Sequence, residues 1–360
     1  MTRLKMGLRP GIIVIIFFFA SAGLFGEDVD GKNDKGIEHS NSLQVFAVYY
    51  FPDQEGYGVD GGFAPISYDV VPKDEVEHRD DDPGRDIGST WGSVKANAVY
   101  AHTIKIPFLT GSGPLTKGNN LSIKLGGDLS PVSVNAMTEV KLTPIAFFNA
   151  AIGGKIGTGW NFFGLFNGLG RNLPGEKYTD PLSEPFSGAV IDIWASGTVQ
   201  FDLAAVWPGE WHHVVTQLTP SIHWRGFTGA GPDTAWEYEA DGGQNFNGFK
   251  FMGSYFIGYQ MPIALNTIGF LLDTSQYIGE VAARSPMSEG GWGSDFVTLT
   301  FGPLANITFS DTFSLAILAQ FQNGRDYTDE TIGNRYFEYR EFESVYVDFY
   351  RIVFIANFDF

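Results

Sequence analysis

The sequence contains no cysteine, which excludes disulfide scaffolds, thiolate metal sites, iron–sulfur clusters, cysteine nucleophiles and a lipid anchor on an N-terminal cysteine. Charged residues make up only 18% of the chain, against about 25% in an average globular protein. The shortage is on the basic side: 23 Lys and Arg face 41 Asp and Glu, a formal net charge of −18. A nucleic-acid partner needs a basic face to displace counterions, so that class is excluded. Beyond the N-terminus no apolar run approaches 18 residues, which excludes transmembrane helices. What is abundant is glycine (45), phenylalanine (32) and aromatic residues generally (15%), a composition opposed to an alanine- and leucine-rich helical fold. At 360 residues the chain has room for one large domain or two ordinary ones.

Arg3, Lys5 and Arg9 precede an apolar run from Gly11 to Phe19, and Ala20-Ser21-Ala22 follow with small residues at cleavage spacing. This pattern predicts a secretory signal peptide over residues 1–26. The run is about half of the ~20 apolar residues that cross a bilayer. Its removal takes Arg3, Lys5 and Arg9 and no acidic residue, moving the net charge from −18 to −21. Residues 27–90 then hold 16 acidic residues against five basic ones, with runs at Asp74-Glu75-Val76-Glu77 and Asp80-Asp81-Asp82. The spacing Asp53, Glu55, Asp60 matches no EF-hand, and the segment is read as a solvated N-terminal extension or plug.

Downstream the apolar residues recur with period two. Val132, Val134, Ala136, Thr138, Val140 and Leu142 lie on one face, and Ser133, Asn135, Met137, Glu139 and Lys141 on the other. A helix would mix the two sets. The same alternation covers 94–108, 121–125, 249–259 and 313–321, with Gly-, Asp- and Pro-containing breaks between. Pro131, Pro144, Pro220 and Pro303 lack the amide hydrogen a ladder needs, so each is read as a strand end or edge. Other breaks are long, notably 159–187 and 325–340, where Gly, Asn, Asp and Pro gather. Pro131 and Pro144 flank a single strand and must lie on opposite rims. Alternating short turns and long loops is the asymmetry of a transmembrane barrel.

The chain ends Tyr350-Arg351-Ile352-Val353-Phe354-Ile355-Ala356-Asn357-Phe358-Asp359-Phe360, apolar at every even position. This segment resembles the C-terminal strand of bacterial outer-membrane β-barrels. The resemblance implies an outer-membrane location in a diderm bacterium, and an assembly signal at Tyr350, Ile352, Phe354, Phe358 and Phe360 read by the barrel-assembly machinery. The expected fold is all-β, a transmembrane antiparallel β-barrel over 91–360 with about 14 strands (range 12–16). Leu43–Phe51 is either its first strand or part of the N-terminal extension. The aromatic richness and a candidate plug also give a weaker resemblance to long-chain fatty-acid-type outer-membrane transporters, which implies fourteen strands and an N-terminal hatch.

In such a barrel the polar faces line the lumen. The pore-lining candidates are Lys95, Asn97, Lys105, Lys124, Asn135, Glu139, Lys141, Lys155, Asp192, Gln200, Asp202, Lys250, Gln320 and Arg351, either a hydrated pore or a network that closes on itself. Trp91, Phe108, Trp160, Trp207, Trp211, Trp224, Trp236 and Trp292 fall near strand ends, where a lipid-interface girdle belongs. On this reading Val134→Arg is costly on the lipid face and Asn135→Arg is cheap in the lumen.

Motifs for enzyme chemistry are thin. G-x-S-x-G, H-E-x-x-H and a P-loop are all missing, and Gly153–Gly159 lacks the G-K-[ST] ending of a phosphate loop. His212 and His213 are adjacent on a strand and point to opposite faces, away from a shared metal with His223. No metal, no cofactor and no enzyme activity are expected. Three classes remain: a channel passing small or hydrophobic solutes by diffusion, a closed barrel acting as an adhesin through loops 159–187 and 325–340 toward a host or surface ligand, and a barrel lipase for which His223 is a conceivable base without a nucleophile motif.

Overall fold

The computed structural model describes residues 36–50, 93–162, 166–171, 182–239, 244–328 and 337–360. The signal-peptide segment 1–26, Trp91 and most of the acidic stretch 27–90 lie outside the described residues. Twelve strands pair edge to edge into one closed antiparallel ring. They are β1 (Glu38–Tyr50), β2 (Ser93–Pro107), β3 (Asn120–Leu129), β4 (Ser133–Ile145), β5 (Phe148–Gly159), β6 (Val190–Asp202), β7 (His213–Phe227), β8 (Gly248–Gln260), β9 (Leu265–Ile278), β10 (Thr298–Ser310), β11 (Phe313–Tyr327) and β12 (Phe342–Asp359). Residues 38–50 are therefore a full barrel strand, and β1 closes the ring against β12 with Ser42 opposite Asp359 and Tyr50 opposite Arg351.

Strand and loop placement follows directly from this order. Turns 108–119, 146–147, 203–212, 261–264 and 311–312 share a rim with the start of β1 and the end of β12. Among the described residues, the opposite rim carries 130–132, 160–162, 166–171, 182–189, 228–239, 244–247, 279–297, 328 and 337–341. Pro131 and Pro144 fall on opposite rims, as one strand between them requires.

Twelve strands rather than about fourteen is a correction with a clear cause. Pro220 lies inside β7 and Pro303 inside β10, so two apparent breaks are mid-strand positions. The ladder tolerates them by opening locally. Between β6 and β7 the pairing skips from Ser196–Ser221 to Val199–Leu218, and between β10 and β11 from Phe301–Phe321 to Leu304–Leu318. Each proline thus meets a neighbour at a place where no amide hydrogen is demanded.

Burial alternates along the strands as the period-two pattern requires. In β4, Ser133, Asn135 and Met137 are buried while Val134, Ala136 and Thr138 are exposed. The outside of the ring carries Val45, Tyr100, Leu125, Val140, Ile152, Ile156, Ile193, Leu218, Ile222, Ile257, Ile268, Phe270 and Phe354, all exposed. A soluble monomer rarely shows a continuous apolar surface of this extent.

The interior is two-faced. Inward residues of β1, β2 and β9–β12 form a buried apolar cluster that includes Phe46, Val48, Val99, Leu271, Leu304, Leu318, Val353 and Ile355. Inward residues of β3–β7 are mostly polar. One bulge breaks the alternation: Gln320 pairs with Arg351 and Phe321 with Phe349, leaving Tyr350 as an extra residue. Both Tyr350 (2% exposed) and Arg351 (5%) therefore point inward, whereas Phe354 and Phe358 face out. The expectation that Tyr350 shares a face with Ile352–Phe360 is corrected by this bulge.

Candidate functional site: the lumen and its inward loops

At the rim where β1 ends, loops fold inward onto the barrel wall. Residues 169–171, 182–183 and 236–238 make a small three-stranded sheet, with Tyr238 opposite Leu169 and Gly170 opposite Ser183. Its apolar underside, Leu169, Trp236 and Tyr238, packs on Val190 and Phe227 at the mouth of the barrel. Trp236 is fully buried with the Arg225 guanidinium 5.2 Å from its ring centroid. A second cluster, Phe246, Tyr277, Val281, Trp292 and Tyr327, ties loops 228–247 and 279–297 to β9 and β11. Trp236 and Trp292 are thus packing residues of the mouth, which corrects the girdle reading for them; Phe108, Trp207 and Trp211 are exposed at the rim where β1 begins.

At the tip of the inward loop stands a latch. Glu239, held at a left-handed φ of 56°, accepts hydrogen bonds from the Ser133 hydroxyl and the Asn135 amide at 2.8 Å each. Its carbonyl oxygen accepts from Lys95 Nζ at 2.8 Å. The Tyr238 hydroxyl donates to the Asn135 side-chain oxygen at 2.8 Å, and Asn135 also donates to Asp128 at 2.6 Å. Lys155 completes the set 3.4 Å from Asp128. Burial opposes ionisation of Glu239, but Lys155 and Lys95 with the Ser133 and Asn135 donors outweigh it and hold the carboxyl at about 2. Gly157 makes the latch sterically feasible: a Cβ there would fall on the polar atoms of Asn135 and Tyr238.

Further along the polar wall, His223 Nδ1 lies 2.9 Å from Asp192 and His223 Nε2 lies 3.1 Å from the Ser221 hydroxyl. Trp194 stacks on the His223 ring at 6.0 Å and 23°, and its indole donates to Glu139 at 3.1 Å. That tryptophan lies across Gly153, where any Cβ would meet the ring. On the apolar wall, Arg351 donates to Gln320 at 2.7 Å and to the Tyr50 hydroxyl at 3.1 Å, and stacks at 4.8 Å from the Tyr350 ring. Asp273, 2% exposed, accepts from Ser254 at 2.6 Å and leaves its second oxygen without a hydrogen-bond partner.

The sequence-predicted lumen residues divide into groups. Lys95, Asn135 and Lys155 meet at the latch; Glu139 and Asp192 flank the Trp194–His223 stack; Gln320 and Arg351 sit together opposite. Lys250 is buried with its ammonium 4.3 Å from the Tyr277 ring centroid. Asn97, Lys124 and Lys141 are inward and half-buried. Lys105 lies at the rim where β1 begins, 3.4 Å from Glu38. Near the same rim Gln200 donates to the Ala146 carbonyl, and Asp202 pairs with His213 and caps the turn at Ala204. His213 and His223 thus have separate carboxylate partners. Sequence reasoning missed Asp128, Ser133, Trp194, Ser221, Tyr238 and Glu239. The period-two pattern puts Ser133 on the polar face, whereas nothing local marks Ser221, which follows the apparent break at Pro220, or Glu239.

Neither a protein-family model nor a curated protein matches the chain. Solved structures similar to it include a bacterial polysaccharide outer membrane secretin, 10% identical, with a TM-score of 0.33, covering 89% of this chain and 98% of that one. The outer membrane channel DcaP of Acinetobacter baumannii is 9% identical with a TM-score of 0.31, covering 92% and 99%. OccK11 of Pseudomonas aeruginosa is 9% identical with a TM-score of 0.22, covering 90% and 95%. The closed ring rests on the strand pairing itself, and in that architecture the chain resembles outer-membrane β-barrel proteins.

Proposed function

We propose that the chain is an outer-membrane channel that passes small or amphiphilic solutes by passive diffusion. The observation that carries this reading is the inversion of the usual core: an exposed apolar belt outside the closed ring, and a lumen holding Lys95, Asp128, Asp192, Lys155 and Arg351 inside. One lumenal wall sets Asp273, Gln320 and Arg351 among the apolar cluster and the other is mostly polar, which suits a solute with both kinds of surface. The long-chain fatty-acid type is disfavoured by twelve strands where it has fourteen. Lipid contact would fall on the apolar belt, and recognition by the assembly machinery on β12 up to Phe360. Single-channel conductance of the purified barrel in a planar bilayer tests the proposal. Stable openings support it, and silence from protein with heat-modifiable mobility overturns it.

A second reading is favoured by the mouth itself. The inward sheet and the Glu239 latch occupy the mouth, as expected of a closed barrel acting through its loops. Of the loops assigned to that role, 159–187 contributes strands to the sheet, while residues 172–181 and 329–336 lie outside the described residues. Conductance that stays absent even when the latch is removed is the outcome that selects this reading.

A further inference from the structure

We infer that Ser221, His223 and Asp192 form a nucleophile relay on the lumenal wall, and that the barrel hydrolyses carboxylic esters of small or amphiphilic solutes. The relay needs three contacts in sequence, and the structure holds them. Asp192 sits 2.9 Å from Nδ1 of His223, which fixes that nitrogen as the protonated one and leaves Nε2 as acceptor. Nε2 then faces the Ser221 hydroxyl at 3.1 Å. Ser221 Oγ is also 3.2 Å from the Met252 carbonyl, an acceptor that its proton leaves when it turns to Nε2.

The local fold explains the geometry. Ser221 and His223 are two apart on β7, so both point into the lumen, and Asp192 on β6 lies opposite Arg225, one inward position beyond His223. Asp192 and His223 are 31 residues apart in the chain and meet only through this register. The imidazole is clamped by Trp194, which Gly153 allows to lie flat, so its orientation is fixed before any substrate arrives. The His223 and Asp192 side chains keep 17% and 22% exposure, so the relay is reachable from the lumen.

In the reaction Ser221 Oγ forms a bond to the ester carbonyl carbon as its proton passes to Nε2. The carbon–oxygen bond to the alcohol then breaks, and the alcohol leaves with that proton. Water repeats the sequence on the acyl-serine, giving the free acid and restoring the hydroxyl. The transient oxyanion needs a positive partner on the lumenal face. Lys250, opposite His223 across β7 and β8 on the lumenal face, is the cation so placed. Ser221 and His223 are the catalytic residues and Asp192 a positioning residue.

The test uses the barrel purified from membranes, its folding checked by heat-modifiable mobility. A fluorophosphonate probe, mapped by mass spectrometry, is expected on Ser221, and p-nitrophenyl butyrate is expected to be cleaved. Ser221→Ala abolishes labelling, and His223→Gln lowers turnover by about 10³-fold. Asp192→Asn lowers turnover while Asp192→Glu restores part of it, a rescue that loss of structure would not give. Absence of labelling on the folded barrel, labelling elsewhere, or ester cleavage surviving in Ser221→Ala would each overturn the proposal. None of these outcomes depends on conductance, so the channel reading stands or falls separately.

Discussion

The Tyr238 hydroxyl donates to the side-chain oxygen of Asn135 at 2.8 Å, so the inward loop is bonded to the inner wall of the barrel. Asn135 simultaneously donates to Glu239 and Asp128, and it therefore joins loop and wall rather than lining open water.

Removing the latch should widen the passage. Glu239→Ala deletes the acceptor for Ser133 and Asn135, and Gly157→Val fills the space that Tyr238 needs. Both variants are expected to keep heat-modifiable mobility and to conduct more than the parent in planar bilayers. Equal conductance in parent and variants would mean that the loop does not set the aperture.

The latch should be insensitive to mild acid. A carboxyl lowered from its ordinary value of 4.5 to about 2 favours the latched state. Its contribution is complete above about pH 4.5 and is lost as pH falls toward about 2. Conductance is expected to hold steady from neutral pH to about pH 5 and to rise below about pH 4. A rise already near pH 6 would place control on another group.

Arginine scanning should separate the two faces by depth. Val140, outward and mid-strand in β4, is expected to lose about 2–4 kcal/mol on Val140→Arg, measured by urea unfolding in lipid vesicles. Val134 lies next to the strand start, so Val134→Arg is expected to cost about 0–1 kcal/mol. Asn135→Arg, expected from sequence to be cheap, is now expected to be destabilising because it strands buried partners on Asp128, Glu239 and Tyr238.

Deleting Phe360 should impair insertion into the outer membrane. Its amide and carbonyl exchange hydrogen bonds with Asn41 at 3.0 and 2.9 Å, so the deletion removes a ring-closing pair as well as an exposed aromatic side chain. Phe360→Tyr, which keeps the backbone pair and the ring, is expected to insert normally. Unchanged membrane fractionation after the deletion would remove the assembly role assigned to this residue.

Much of the barrel was legible because its information is local. Each strand carries its own alternation, and Val134 and Asn135 could be placed on opposite faces from spacing alone. The strand count was not legible, since Pro220 and Pro303 look like breaks unless the neighbouring strand is known to leave the ladder open beside them. Tyr350 was placed on the wrong face because a bulge belongs to a pair of strands and leaves no mark in one. The latch and the Ser221–His223–Asp192 relay were hidden for the same reason: their members lie on different strands and loops, and only register brings them together.

The seam between β1 and β12 has a consequence for how the molecule comes to exist. Gln44 bonds to Asn357 across 313 residues of chain, and the whole β1–β12 pairing spans nearly the full sequence. Closing so large a loop is entropically expensive and slow, and until it happens two strand edges stay unsatisfied. A chain whose first and last strands have not met keeps both of those edges open. Its productive life begins only when the last strand meets the first, and any delay at that step exposes a nearly complete polypeptide to aggregation or proteolysis.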